Sequence, residues 1–571
     1  MPPPRPRPNR RSTLPRSRRA GVLAAIALAA CVAACSSDEA APGDRAPGAE
    51  SSAPEPSARE TGSPASAPGP SAAPTAPVTT DTTGTTDTTE PARGRPGEDV
   101  DWTSCADTTA TATTGAIGDT AEDTAGIDCG NVRVPLDHEA PERGRIDIAI
   151  ARLPAQTADR DGVIVLNPGG PGYSGVDFLV EEGPDLVERL GLERFDLVGF
   201  DPRGVARSGE IQCIDTPLTV QQAFADTTPD DDSERAAWEL GARDLVRECV
   251  REYGDTLPLY GTEAAARDLD LIRTALGVER ITPLMMSYGT FLAATYATLF
   301  PDRVEAMVLD APTELPGDLT ASVIVHASAT ERALERWSTW CTSTFTCELN
   351  DDDPLAVWDQ VELLLEAGAT TDDGRPVAVG RFWQATYWLL RIGDEQGWER
   401  LASMLSASVR GYHDELVVIS DALFDIEADD AEFASFDSLT VIRCASGLGS
   451  GSVLVDDTTS MEVLASQAPR MGPLFVAPLD PCATLAPGAS PAPLRPVDTP
   501  VLVIDSVGDL RTPPVWADRM MALYGPPARR VTYLGEGHVK VGSSECVEAA
   551  VAAFLDDPAS FPALTTCEAG T

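Results

Sequence analysis

Ser287 stands in the run Leu284-Met285-Met286-Ser287-Tyr288-Gly289-Thr290, directly after an apolar stretch, Ile281 to Met285, and before a helix-like one, Thr290 to Phe300. A serine on a sharp strand-to-helix turn is lifted above a sheet edge, where its hydroxyl reaches a base and backbone N–H donors. That arrangement suits acyl transfer. Ser-x-Gly recurs by chance in a chain of 571 residues, so the reading depends on its partners. The four histidines sort quickly. Only His538 lies on a glycine-rich loop after Ser287, Leu534-Gly535-Glu536-Gly537-His538, behind the strand-like Arg530 to Leu534. That is the place for a general base. His138 sits in a polar turn near a hairpin and reads as a surface residue, while His326 and His413 fall in helical stretches and read as remote from substrate.

The acid is expected between serine and histidine, at the end of a strand. Val501 to Asp505 reads as a buried strand, and Ser506 to Pro513 as the loop leaving it. Two aspartates compete there. Asp509, ahead of Thr512-Pro513, has the loop position from which a carboxylate reaches imidazole Nδ1; Asp505 is still at the strand end. A turn or helix-cap role for Asp509 is the structural alternative. Donors for a developing oxyanion are offered by Asn167-Pro168-Gly169-Gly170-Pro171-Gly172-Tyr173-Ser174-Gly175, which follows the strand pattern Gly162 to Leu166. Glycines let backbone N–H groups approach a reacting carbon, and the N–H of Tyr288 is the expected partner of Gly169 and Gly170. A phosphate cradle is disfavoured, because Pro171 removes a donor and no Gly-Lys-Ser/Thr ending is present.

These blocks, with Phe195-Asp196-Leu197-Val198-Gly199-Phe200-Asp201-Pro202-Arg203-Gly204 and Gly537-His538 followed by Cys546, resemble the secreted actinobacterial α/β-hydrolase peptidases related to proline iminopeptidase, the tripeptidyl aminopeptidases. The likeness runs from about Trp102 to Cys567. It implies an exopeptidase that removes short peptides from a free N-terminus through Ser287, Asp509 and His538. Three positions depart from the family pattern. Met285 replaces the glycine before the nucleophile and is expected to crowd the turn; Ala206 replaces a usual glycine; Cys444-Ala445-Ser446 lacks the aspartate that often follows that cysteine, which leaves the anchor for the substrate ammonium open.

Residues 1–34 read as a lipoprotein signal: seven arginines and no acid precede an apolar run, Ala20 to Ala34, too short to span a bilayer unaided. The run ends in Val32-Ala33-Ala34-Cys35-Ser36-Ser37, which resembles a lipobox, so Cys35 is the expected lipidation site and Cys31 the competing one. Arginine pairs leave twin-arginine export open. Residues 35–98, almost wholly Ala, Pro, Ser, Thr, Gly and acids, bury too little apolar surface to offset chain entropy and read as a disordered tether. Ten further cysteines in an exported chain imply a disulfide framework. Connectivity stays open, but pairing neighbours in order, Cys105 with Cys129, Cys213 with Cys249, Cys341 with Cys347, Cys444 with Cys482 and Cys546 with Cys567, keeps each loop inside one structural region. No Cys-x-x-Cys or histidine pair supports a metal, and no cofactor is expected. A formal charge of −46 argues against nucleic acid and against contact with anionic lipid other than through the anchor.

The elements that must position these residues alternate. A hairpin over Val132 to Ile150 opens the sheet, and strand-like runs (163–167, 195–200, 281–285, 304–309) then alternate with helical ones, among them Thr262 to Leu276. This predicts an α/β-hydrolase fold: a mostly parallel sheet with helices on both faces and a large, mainly helical lid. The expected division is a first core part over 99–313, the lid over 314–490, and a second core part over 491–571 with acid and base. Trp337, Trp340, Phe382, Trp383, Tyr387 and Trp388 read as the lid's own core. Asp351, Asp352, Asp353, Glu427 and Asp429 are the candidate lid acids for an ammonium. The leading expectation is an exported serine exopeptidase acting on peptide or small acyl substrates. An esterase or lipase with the same triad, and a non-catalytic envelope lipoprotein, are the alternatives; the oligomeric state is left open.

Overall fold

Ten strands form one sheet in the order β1-β2-β3-β5-β4-β6-β7-β10-β11-β12. They are β1 (Thr103–Ser104), β2 (Asp128–Pro135), β3 (Arg145–Leu153), β4 (Gly162–Asn167), β5 (Phe195–Phe200), β6 (Thr282–Met286), β7 (Met307–Asp310), β10 (Val501–Gly508), β11 (Ala528–Glu536) and β12 (Leu564–Glu568). The computed structural model describes residues 100–105, 126–214, 224–229, 231–423, 434–491 and 493–570. The signal, Cys35 and the tether over 35–98 lie outside the described residues, as do Glu427 and Asp429.

The first strand pairs are antiparallel, β2 and β3 forming the expected hairpin; from β5 onward every pair is parallel. Parallel strands buried on both faces read as near-continuous apolar runs, which β4, β6, β7 and β10 supply up to the polar residues at their ends. Their alternation divides the core. Val165, Met285, Leu309 and Val503 pack on one face with the helices Thr262–Ala275, Tyr288–Leu299 and Pro514–Tyr524. Ile164, Leu284, Val308 and Leu502 pack on the other with Gly175–Leu190 and Glu545–Asp556.

Between β7 and β10 the chain leaves the sheet. Helices Leu319–Ser343, Pro354–Glu366, Val379–Ile392, Glu395–Val409 and Asp414–Leu423 enclose a core of their own around Trp337, Trp358, Phe382, Trp383 and Leu401. Helices Ala434–Ala445 and Thr458–Gln467 follow, with a two-stranded parallel ribbon, β8 (Val453–Leu454) and β9 (Val476–Ala477). Tyr387 belongs to that core and Trp340 and Trp388 pack against it, so all six aromatics lie where the sequence suggested; Tyr387 also reaches the cavity described below.

One segment assigned by sequence to the first core part does not cover the sheet. Helix Asp232–Tyr253 buries only Leu245 and Cys249, too narrow a stripe for a sheet face, and these pack with Val441, Cys444 and Leu485 of the insertion. The carboxylate of Asp437, accepting from the Cys213 and Ile214 N–H groups at 2.6 and 3.1 Å, ties the same two regions together. Disulfides join Cys105 to Cys129, Cys213 to Cys249, Cys341 to Cys347, Cys444 to Cys482, and Cys546 to Cys567.

Candidate active site

Ser287 occupies the junction between β6 and the helix Tyr288–Leu299 with φ 53° and ψ −127°, a left-handed conformation that L-residues rarely adopt. The turn is held from both sides. Ser287 N–H donates to the Asp310 carbonyl at 2.9 Å, and Thr290 N–H donates to the Ser287 carbonyl at 2.9 Å. Such an outlier, over-determined by its surroundings, is common where function needs a fixed geometry. The expected crowding by Met285 does not occur. Its side chain is fully buried in the sheet core with Val165 and Leu309, and the clearance comes from Gly289, where an added Cβ would lie 3.2 Å from Met285 Cβ and 2.8 Å from Asn167 Oδ1.

Asp509 and His538 meet across the β10 and β11 loops. His538 Nδ1 lies 2.8 Å from Asp509 Oδ2, which also accepts the Thr512 hydroxyl at 2.6 Å; Oδ1 accepts the N–H groups of Arg511 and Thr512 at 2.8 and 2.9 Å. Burial opposes the Asp509 charge, but His538 and these donors outweigh it and hold the carboxyl below its ordinary range. Burial likewise pushes His538 below the ordinary imidazole value, against the pull of Asp509. With Nδ1 committed to Asp509, Nε2 is left for proton transfer; no hydrogen bond joins it to Ser287 Oγ among the described residues, a common state without substrate. Asp505, the competing acid, is taken by a bidentate pair with Arg530 at 2.8 and 2.7 Å and by the Thr532 hydroxyl at 2.9 Å. The loop beyond His538 is fixed by Asp310, whose Oδ2 accepts the Lys540 and Val541 N–H groups at 2.8 and 2.7 Å; burial pushes this carboxyl up to about 7.

Gly169 approaches the elbow so closely that an added Cβ would meet the Met286 carbonyl oxygen at 2.6 Å and Tyr288 N at 3.0 Å. Its own N–H donates to Asn167 Oδ1 at 3.1 Å. The Gly169 N–H is thus taken by Asn167 in this structure. Tyr288 is the first residue of its helix, so its N–H has no intrahelical acceptor, and Gly170 lines the cavity above Ser287.

That cavity, of about 280 Å³, lies between the sheet edge and the insertion. Three of its residues correct the sequence reading. His326, expected to be remote, lines it, ringed by Phe475, Tyr387 and Trp516; burial pushes it down to about 3, so it is neutral. Tyr387 also faces the cavity, its hydroxyl 3.2 Å from His326 Nε2. The one carboxylate in the lining among the described residues is Glu314, four residues past β7, paired with Arg443 at 2.8 Å and accepting the Thr313 hydroxyl. Burial works against its charge, yet Arg443 and Thr313 keep it below the ordinary range, so it is ionised. Asp351, Asp352 and Asp353 are instead exposed, Asp353 capping the helix Pro354–Glu366. An acid close behind a strand that ends beside the nucleophile was the available signal for Glu314.

Residues 162–371 match the α/β-hydrolase fold family and residues 468–567 the TAP-like protein family, the two matches covering the strands that carry Ser287, Asp509 and His538. The chain has the α/β-hydrolase fold. It is 32% identical to a tripeptidyl aminopeptidase of Streptomyces lividans over 331 residues, 56% of this chain and 60% of that protein. The chain thus spans about 60% of the length of the first curated relatives it matches. It is 29% identical to the serine protease Hip1 of Mycobacterium tuberculosis over 503 residues (84% and 92%), and 28% identical to a carboxylesterase B of the same species over 511 (84% and 93%).

The remaining departures have local explanations. Ala206 has φ 39°, a backbone conformation that favours glycine. Ser446 is buried away from the cavity, its hydroxyl 2.7 Å from Thr262 Oγ1, which in turn meets the Tyr288 hydroxyl. His138 is not the surface residue expected: its Nε2 lies 2.8 Å from Asp268 in a cluster built on the buried Arg203.

Proposed function

We propose that this chain is an exported serine exopeptidase that releases short peptides from free N-termini. The observation that carries this reading is the Asp509–His538 pair beside the strained Ser287 turn, opening on a covered cavity whose lining holds one ionised carboxylate. Ser287 Oγ attacks the substrate carbonyl while His538 Nε2 takes its proton; the N–H groups of Gly170 and Tyr288 hold the oxyanion. His538 then returns the proton to the leaving amine as the C–N bond breaks, and water, deprotonated by the same nitrogen, releases the acyl group. Glu314 receives the substrate ammonium. The cavity is near the lower end of the range for small-ligand sites, about 300–1,000 Å³, so it accommodates a few residues and no folded chain.

The Streptomyces and Hip1 relatives support the peptidase reading, and a carboxylesterase relative supports an ester hydrolase on the same three residues. An ionised Glu314–Arg443 pair suits a zwitterionic peptide better than an acyl chain. Export is supported by the five disulfides and the signal-like N-terminus, with lipidation at Cys35. Among the described residues no helix is long and apolar enough to cross a membrane.

Two measurements test the proposal. A fluorophosphonate probe should label the wild type and leave Ser287→Ala unlabelled; equal labelling overturns the nucleophile. Peptide anilides with a free N-terminus should be cut in preference to acetylated ones and to simple esters, and the reverse order would make the protein an esterase.

A further inference from the structure

Acids outnumber bases by 89 to 43 in this chain, and its other inward-facing arginines are matched accordingly. Arg203 pairs with Asp268, Arg207 with Asp177, Arg443 with Glu314 and Arg530 with Asp505. Arg391 and Arg511 are not. Among the described residues neither makes an ion pair. Arg511 lines the Ser287 cavity, and its only side-chain hydrogen bond among the described residues is to the Tyr387 hydroxyl, at 3.3 Å. Arg391 stacks its guanidinium 4.3 Å from the centre of the Trp388 ring, and its Nε is buried with no partner. A cation withdrawn from water without an anion is costly, and two near one another more so.

Both are delivered to the same place by the backbone. Arg511 follows Asp509 by two residues. Arg391 ends the helix Val379–Ile392, and the next residue but one, Gly393, packs so tightly on the His538 loop that an added Cβ would lie 2.4 Å from Gly537 N. The charges act on one another there: after burial, Arg511 is the main influence lowering the Arg391 pKa, both arginines push His538 down, and Asp509 offsets part of this at each arginine. His326 is neutral and adds no third charge. Since His538 hands its proton to the departing amine, groups gathered about it face the leaving segment of the substrate.

We propose that Arg391 and Arg511 form a carboxylate-binding subsite on the leaving-group side of Ser287, so that the preferred substrates carry a carboxylate close behind the bond to be cut. This rests on the peptidase reading above. The carboxylate is either the C-terminus of a short peptide or an Asp or Glu side chain directly after the cut. Planar guanidinium groups bind carboxylates through paired N–H donors, which makes charge-assisted recognition selective against the isosteric amide.

The test uses peptides with one constant three-residue acyl part and a free N-terminus, followed by glycine, glycinamide, glutamyl amide or glutaminyl amide. Wild type should cut the carboxylate member of at least one pair about tenfold or more faster in kcat/KM than its neutral partner. Preference for glycine over glycinamide identifies the chain terminus as the source, and preference for glutamyl over glutaminyl amide identifies the side chain. In Arg391→Gln and Arg511→Gln the ratio, internal to each variant, should fall to within about twofold of one, and Arg391→Lys should keep part of it. Ratios near one in the wild type, or unchanged in both Gln variants, overturn the subsite. If Ser287 takes the fluorophosphonate but no peptide is cut, the peptidase reading fails separately. Slower labelling of Ser287 in the presence of the carboxylate peptides than of the amides then supports the subsite, and equal protection overturns it.

Discussion

His538 is pushed toward its neutral form by its surroundings, against the pull of its partner. Burial and the two nearby arginines depress its pKa, and Asp509 offsets only part of that. A base must be unprotonated to act, so a lowered pKa extends activity toward acid. The acid limb of kcat/KM should therefore lie below the ordinary imidazole value of about 6.5; a midpoint at or above it in a pH–rate profile would contradict the assignment. Ala206 offers a second prediction of this kind. At φ 39° it bears a left-handed strain of roughly 1–2 kcal/mol, part of which glycine would return as greater unfolded-state entropy. Ala206→Gly should raise the denaturation midpoint at unchanged m, by about 0.5–1 kcal/mol. A fall in stability would show that the alanine methyl packs usefully.

At the scale of elements, one contact couples the lid to the chemistry. Arg336, on the helix Leu319–Ser343, donates to both oxygens of Glu536 at 2.6 and 2.8 Å and to the Gly508 carbonyl at 3.1 Å. Glu536 lies two residues before His538 and Gly508 one before Asp509, so a single guanidinium fastens both loops to the insertion. Part of the pair faces solvent and is screened accordingly. Arg336→Ala should lower kcat/KM by about two- to fivefold and speed hydrogen exchange over 534–540. Unchanged exchange there would make the contact incidental. Met285 illustrates the opposite case, a side chain suspected from sequence whose strand simply turns it into the core, with the room found at Gly289.

Over the whole molecule acids are in large excess, yet beside the site two arginines make no ion pair among the described residues. Long-range charge repels anionic surfaces, while a carboxylate that reaches the cavity meets cations at short range. If Cys35 is lipidated, the net charge keeps the folded part off an anionic bilayer and the lipid is the only membrane contact. Fractionation of wild type and Cys35→Ala tests this: the wild type should sediment with membranes and the variant should be released. Identical partitioning would place the anchor at Cys31 or remove it.

What the sequence determined by itself was local. The turn at Ser287, the glycine loop at 169–175, the position of His538 and the strand alternation are written in short runs whose chemistry does not depend on distant partners. Asp509 was preferred to Asp505 on loop position alone, without sight of the partners of either. The parallel register of β10 and β11 decides between them, setting Asp505 opposite Thr532 and within reach of Arg530, while the loop carries Asp509 to His538. His326, Arg391 and Arg511 were hidden more deeply than Glu314, whose place close behind β7 was a signal. Each sits in a stretch that reads as ordinary loop or helix, and its surroundings are set by what the insertion folds down beside it. Burial and unpaired charge are properties of that packing. No run of residues carries them.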